Sequence, residues 1–272
     1  MSLSSSSPGP PEHVRAAFGA RGEELAPLPP GPAWRCDDVV LTPVDGAVQA
    51  AWVAQTLDTL QVEDVRLARP LRSSDGRWVV GGWSATRYLV GQPGPRYDEV
   101  IAVSLRLHVA TAALPRPRFL DDRADLWTVA DAVAWGERDA GELPPGGGEL
   151  AAEMADLVTA RRPVALHPQV VHGELFGNVL FTESAPPAVI DFVPYWRPPE
   201  WAAAVIAVDA LAWGGADPDL LRRWMGLPEW PQVLLRALLF RMVAHAAHPL
   251  STKESLAGLC RAVKLVSELT PR

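Results

Sequence analysis

Three polar side chains, Glu174, Asn178 and Asp191, sit at the ends of apolar strands between Val170 and Phe192. The pattern is apolar strand, polar loop, apolar strand, turn, apolar strand. Glu174 and Asn178 therefore share one loop, and Asp191 ends the strand that pairs back to it. An amide oxygen and a carboxylate suit Mg2+, which takes oxygen ligands and keeps several waters when it binds phosphate groups. The remaining acid is then placed to act on a hydroxyl. The plainer alternative is that Asn178 caps a turn and Asp191 begins one. Against it, Asn178 is the only asparagine in the 272-residue chain.

Other chemistries are poorly served. The only cysteines, Cys36 and Cys260, lie far apart without neighbours at ligand spacing, which excludes a disulfide framework and a cysteine-rich zinc site. His172-Gly-Glu174 contains the His-x-Glu of zinc deaminases, but their Pro-Cys-x-x-Cys is absent. The bases are 23 Arg and two Lys, Lys253 and Lys264, so no Gly-Lys-Ser/Thr phosphate loop is possible. A formal charge of −7 argues against a nucleic-acid surface. No apolar run is long enough to span a membrane, and the Ser-rich start lacks the pattern of a secretory signal. A cytoplasmic protein without nucleic-acid or membrane partners is expected.

The elements that must hold these residues follow from periodicity. A short helix is expected over 11–19 and a stiff extended loop from Pro27 to Pro32. Strands are expected at Ala33–Cys36 and Val39–Val44, joined at Asp37-Asp38. A helix over 46–60 and further strand-like stretches at Val65–Ala68, Arg77–Gly81 and Trp83–Val90 come next. After Gly91-Gln-Pro-Gly-Pro95 the pattern turns helical: 97–113, 124–138, 149–162, 199–214, 218–225, 230–247 and 252–269. A Pro/Gly-rich segment at 144–148 separates the second and third of these. The expected architecture is α+β: a disordered tail over 1–10, a small β-rich lobe over 11–93, and a larger helical lobe over 94–272 holding the β island.

The island carries a resemblance. His172-Gly-Glu-Leu-Phe-Gly-Asn178-Val-Leu-Phe followed by Val189-Ile-Asp-Phe192 resembles the catalytic and metal loops of the aminoglycoside phosphotransferase and choline-kinase-like superfamily. Leu105-Arg-Leu-His108-Val-Ala is similar to a helix of those enzymes, and Pro194-Tyr-Trp-Arg-Pro-Pro with Ala207-Val-Asp-Ala-Leu to an actinobacterial subgroup. The resemblance implies a bilobal protein-kinase-like fold and transfer of phosphate from ATP, or another nucleoside triphosphate, to a small-molecule hydroxyl. It also implies that Glu174 is the base, that Asn178 and Asp191 hold Mg2+, and that all three converge on one cleft between the lobes.

The chain departs from that pattern in several places. The expected Asp is Glu174, and the step from it to Asn178 is four residues where the kinase loop has five. A longer side chain on a shorter loop is expected to restore reach. Thr42 stands at the position of the nucleotide-binding lysine, and no acid lies between Asp45 and Asp58 to replace the helix glutamate. Arg35, on one sheet face with Ala33, Val40 and Thr42, is the candidate substitute cation; its alternative is an exposed arginine on a half-buried sheet. These losses raise a rival expectation, a catalytically impaired module that binds nucleotide or small molecules. The acids at 121, 122 and 125 are expected to cap a helix. His108 is expected to be a packed, loop-bonded histidine, and Asp209 a structural hydrogen-bonding residue behind the loop. Trp196, with Tyr195 and Arg197, is a candidate to line the site.

Overall fold

The structure is a computed structural model and describes residues 8–29, 31–139 and 150–269. Most of the expected 1–10 tail and the 144–148 segment lie outside the described residues. The chain forms two compact units, residues 1–92 with 180–192, and residues 93–179 with 193–272.

The first unit is built on a five-stranded antiparallel sheet. Its strands are β1 (Ala26–Leu28), β2 (Ala33–Cys36), β3 (Val39–Pro43), β5 (Val79–Val80) and β6 (Trp83–Arg87), in the order β1-β2-β3-β6-β5. The two-residue turn at Asp37-Asp38 pairs Cys36 with Val39 and Arg35 with Val40. Asp37 takes a left-handed φ of 53°, which aspartate tolerates better than most residues. Side-chain alternation then buries Cys36, Val39 and Leu41 on one face and leaves Arg35, Val40 and Thr42 half-buried on the other. The buried face, with Val80, Trp83 and Ala85, packs with Val14 and Phe18 from helix α1 (Glu12–Ala17) and the turn after it.

Helix α2 (Ala47–Thr59) follows the hairpin, and β4 (Arg66–Leu67) pairs in parallel with β9 (Ala188–Val189). Gly91 has a φ of 148° and lies against the returning segment, where an added Cβ would stand 2.9 Å from Leu180 Cβ. Only glycine lets Gln92 bridge Phe181 there. Where a loop is expected from Pro27, the chain instead starts the sheet. Pro27 is tolerated because β1 is an edge strand, bonded on one side only.

The second unit is mainly helical: α3 (Tyr97–Thr111), α4 (Leu126–Trp135), α5 (Ala151–Ala160), α6 (Pro199–Ala212), α7 (Asp219–Arg223), α8 (Trp230–Ala247) and α9 (Lys253–Leu269). Helices α6 and α8 are buried around almost their whole circumference. They pack on each other, with α4 against α8, α3 against α6, and α9 against both. Helix α9 buries only Gly258, Leu259, Ala262 and Val266, the stripe expected of a surface helix. Asp125 caps α4 through a 3.0 Å bond from the Thr128 N–H to its Oδ1. A two-stranded ribbon of β7 (Gln169–His172) and β10 (Pro194–Arg197) completes the unit. Strand β10 is absent from the periodicity reading, because a proline opens it and prolines close it. The chain leaves this unit along β8 (Val179–Leu180).

Candidate active site

The loop from Gly173 to Asn178 begins on a strand clamped to α3. Thr111 Oγ1 donates to the Val170 carbonyl at 2.7 Å, and Gln169 Nε2 to the His108 carbonyl at 2.6 Å. The His172 backbone N–H donates to His108 Nε2 at 2.9 Å. His108 is therefore an acceptor in the interior, the packed role expected of it. Burial, with His172 adding to it, pushes its pKa down to about 3. His172 Nδ1 in turn accepts the N–H groups of Glu174 at 3.2 Å and Val193 at 3.4 Å. Two imidazoles thus orient the chain as it enters the loop and tie that entry to Val193, just before β10.

The turn itself is short and braced. The Asn178 N–H donates to the Leu175 carbonyl at 3.0 Å, with Gly177 at a φ of 81°. Asn178 Nδ2 donates to the Glu174 carbonyl at 2.7 Å, so the four-residue step is closed by the asparagine side chain. Phe176 stacks on Tyr97 at 6.0 Å, and the Tyr97 hydroxyl donates to the Gly214 carbonyl at 2.6 Å. Gly173 is required for a different reason, since a Cβ there would overlap the Tyr195 ring.

Glu174 carries a partner that the sequence reading did not name. Its two oxygens accept from Arg241 Nη1 at 3.0 Å and Nη2 at 2.9 Å. Arg241, on α8, also donates to Asp209 of α6, from Nε at 2.7 Å and Nη2 at 2.5 Å. The side chains of Arg241 and Asp209 are 6% and 1% exposed, against 26% for Glu174. Burial pushes the Asp209 pKa up to about 6, although Arg241 pulls the other way. Burial also works against the Arg241 charge, but Asp209 and Glu174 outweigh it and hold the guanidinium protonated. Asp209 is thus the structural bonding residue expected behind the loop, acting through an arginine. The Glu174 carboxylate is engaged by Arg241. The signal for Arg241 was present: it is the only charge between Ala237 and Ala247 in an apolar helix, and buried charges are rarely unpaired.

Of the other expected site residues, Asp191, Arg35 and Thr42 lie in the first unit. Asp191 follows β9 as an exposed residue with a left-handed φ of 50°. Arg35 lies on β2 with its guanidinium 3.7 Å from the centroid of the Tyr88 ring, and its Nε donates to the Asp37 carbonyl at 2.8 Å. Thr42 sits on β3 opposite Ser84 of β6. Trp196, on β10, is half-buried, and its neighbour Arg197 is bound to Asp131 and Glu137. Among the described residues no cluster of three or more His, Cys, Asp or Glu is poised for a metal. The amide nitrogen of Asn178 is committed to the Glu174 carbonyl, so Oδ1 is the atom it can offer to an ion that takes oxygen ligands.

No protein-family model matches the sequence, and neither does any curated protein. Solved structures do match. An aminoglycoside phosphotransferase from Alicyclobacillus acidocaldarius superposes with a TM-score of 0.63 over 99% of this chain and 97% of its own, at 15% identity. The fold is that of the aminoglycoside phosphotransferases. A spectinomycin phosphotransferase bound to AMP matches with a TM-score of 0.59 over 94% of this chain and 96% of its own, at 11% identity. An amicoumacin kinase bound to AMP-PNP and Ca2+ matches at 0.60 over 95% and 92%, at 13% identity. The α+β, kinase-like architecture expected from the sequence is therefore present, shared with small-molecule phosphotransferases that are 11–15% identical in sequence.

Proposed function

We propose that this protein is a phosphotransferase that moves the γ-phosphoryl group of ATP, or another nucleoside triphosphate, to a hydroxyl of a small molecule. In this reading Glu174 accepts the hydroxyl proton as the oxygen–phosphorus bond forms, and the nucleoside diphosphate leaves. Asn178 and Asp191 would hold Mg2+, which when bound neutralises charge on the phosphate oxygens. Arg35, with Thr42 beside it, would face the nucleotide in place of a lysine. The observation that carries the reading is the braced loop, in which the Asn178 amide is tied to the backbone of a half-buried Glu174. The Arg241 pair does not disqualify Glu174, because each carboxylate oxygen has a second lone pair. Phosphoryl transfer is also mostly positioning and electrostatics, and needs little covalent help from the protein. No helix among the described residues is long and apolar enough to cross a membrane, which is compatible with a cytoplasmic enzyme.

Three observations favour a second reading, a module that binds nucleotide without transferring phosphate. Thr42 replaces the lysine, α2 has no acid in its first turn, and Arg35 is already stacked on Tyr88. Calorimetric titration with ATP, with and without Mg2+, separates the readings when followed by a phosphate-release assay. Metal-dependent binding that weakens in Asp191→Asn, with slow hydrolysis, supports the enzyme. Binding without turnover supports the module, and no binding at all removes both.

A further inference from the structure

We infer that Arg241 is the positioning residue for Glu174, with Asp209 as its anchor; the catalytic meaning of this rests on the phosphotransferase reading. The guanidinium presents two of its three edges to carboxylates. The Nε–Nη2 edge takes Asp209, and the Nη1–Nη2 edge takes Glu174. A planar fork with five N–H groups can do this, whereas an ammonium group cannot serve both carboxylates in one plane. The rings of Phe240, Trp127 and Trp213 stand 5.0, 5.8 and 6.0 Å from the guanidinium carbon and restrict its movement.

The placement is poorly explained by stability. Burying Arg241 and Asp209 in the α6–α8 core carries a desolvation penalty that matched apolar side chains would avoid. What the arrangement provides is a carboxylate held at both ends. The backbone of Glu174 is bound by His172 and Asn178, and its oxygens by Arg241. The carboxylate is nevertheless the only one of the three charged groups open to solvent. Its remaining lone pairs are therefore the ones an incoming hydroxyl can meet. Glutamate in place of the expected aspartate is consistent with this, since its extra methylene is taken up in reaching the arginine.

The test uses the full chain and two kinds of variant. Asp209→Leu with Arg241→Met replaces the buried pair by apolar side chains and removes the positioning contact. Arg241→Lys keeps the charge but loses the fork, and stands in should the double variant fail to fold. Thermal melting reports stability, and kcat and KM for nucleotide are measured beside it. The 13C carboxyl signal of Glu174, assigned by its loss in Glu174→Gln, reports order without any need for turnover. The expected result is a folded variant with nucleotide KM unchanged, kcat lowered on the order of 10- to 100-fold, and a more mobile Glu174 carboxyl. A folded variant with wild-type kcat, or with an unaltered Glu174 signal, overturns the inference. Wild-type protein that transfers phosphate to no acceptor defeats the transferase reading instead, and the carboxyl signal still decides whether Arg241 positions Glu174.

Discussion

His108 is a buried imidazole whose Nε2 must stay unprotonated to accept the His172 N–H. Its Nδ1 lies 3.3 Å from Ser104 Oγ, and His172 adds to the downward shift. The folded state holds its pKa near 3, against 6.5 when exposed. The unfolded chain therefore takes up a proton as pH falls below 6.5, while the folded chain does not until about 3. The stabilisation is complete above 6.5 and is lost as pH falls towards 3. Each pH unit in that window costs about 1 kcal/mol. Asp209 acts in the opposite sense. Its pKa is raised from 3.8 to about 6, so its burial penalty is relieved as pH falls through that range. The contribution of His108 is isolated by comparing wild type with His108→Gln, whose amide oxygen can accept the same N–H but cannot titrate. Asp209 is common to both proteins and cancels. Urea unfolding between about pH 7 and pH 5 should show the wild-type stability falling more steeply than that of the variant, by about 1 kcal/mol per unit. Equal slopes would mean that His108 is not held neutral by the fold, and the account of the loop's anchorage would fail.

Two further outcomes are expected. Arg35→Ala should weaken nucleotide binding and Thr42→Lys should strengthen it or leave it unchanged, both read by calorimetry; an Arg35→Ala protein with wild-type affinity removes Arg35 from the site. Gly173→Ala drives a Cβ into the Tyr195 ring and should lower unfolding free energy by about 1–3 kcal/mol. A urea midpoint equal to wild type would show that the loop can move aside without penalty.

The candidate residues were legible because their signals are local. The His172-Gly-Glu174 run, the single Asn178 and the apolar strand before Asp191 all lie within about two dozen residues, and the hairpin alternation that places Arg35 and Thr42 on one face is equally short-range. What was missed depends on distant residues. Arg241 is 67 positions from Glu174 and sits in a helix buried on all sides, which has no polar face for periodicity to find. The parallel pairing of β4 with β9 joins segments separated by β5, β6, α3 to α5, β7 and β8, and two-residue strands carry no pattern of their own. Strand β10 was hidden by its flanking prolines, although it is the partner that holds β7 in place.

The most direct test of the central claim is transfer itself. Wild-type protein and Glu174→Gln are incubated with Mg2+, ATP labelled on the γ-phosphate and a panel of small hydroxyl compounds, and phosphorylated product is followed by mass spectrometry. The account predicts a phosphorylated acceptor with wild type and a loss on the order of 100- to 10,000-fold with Glu174→Gln, while both proteins bind nucleotide alike. Nucleotide bound equally by both, with no label transferred to any acceptor or to water, would contradict it.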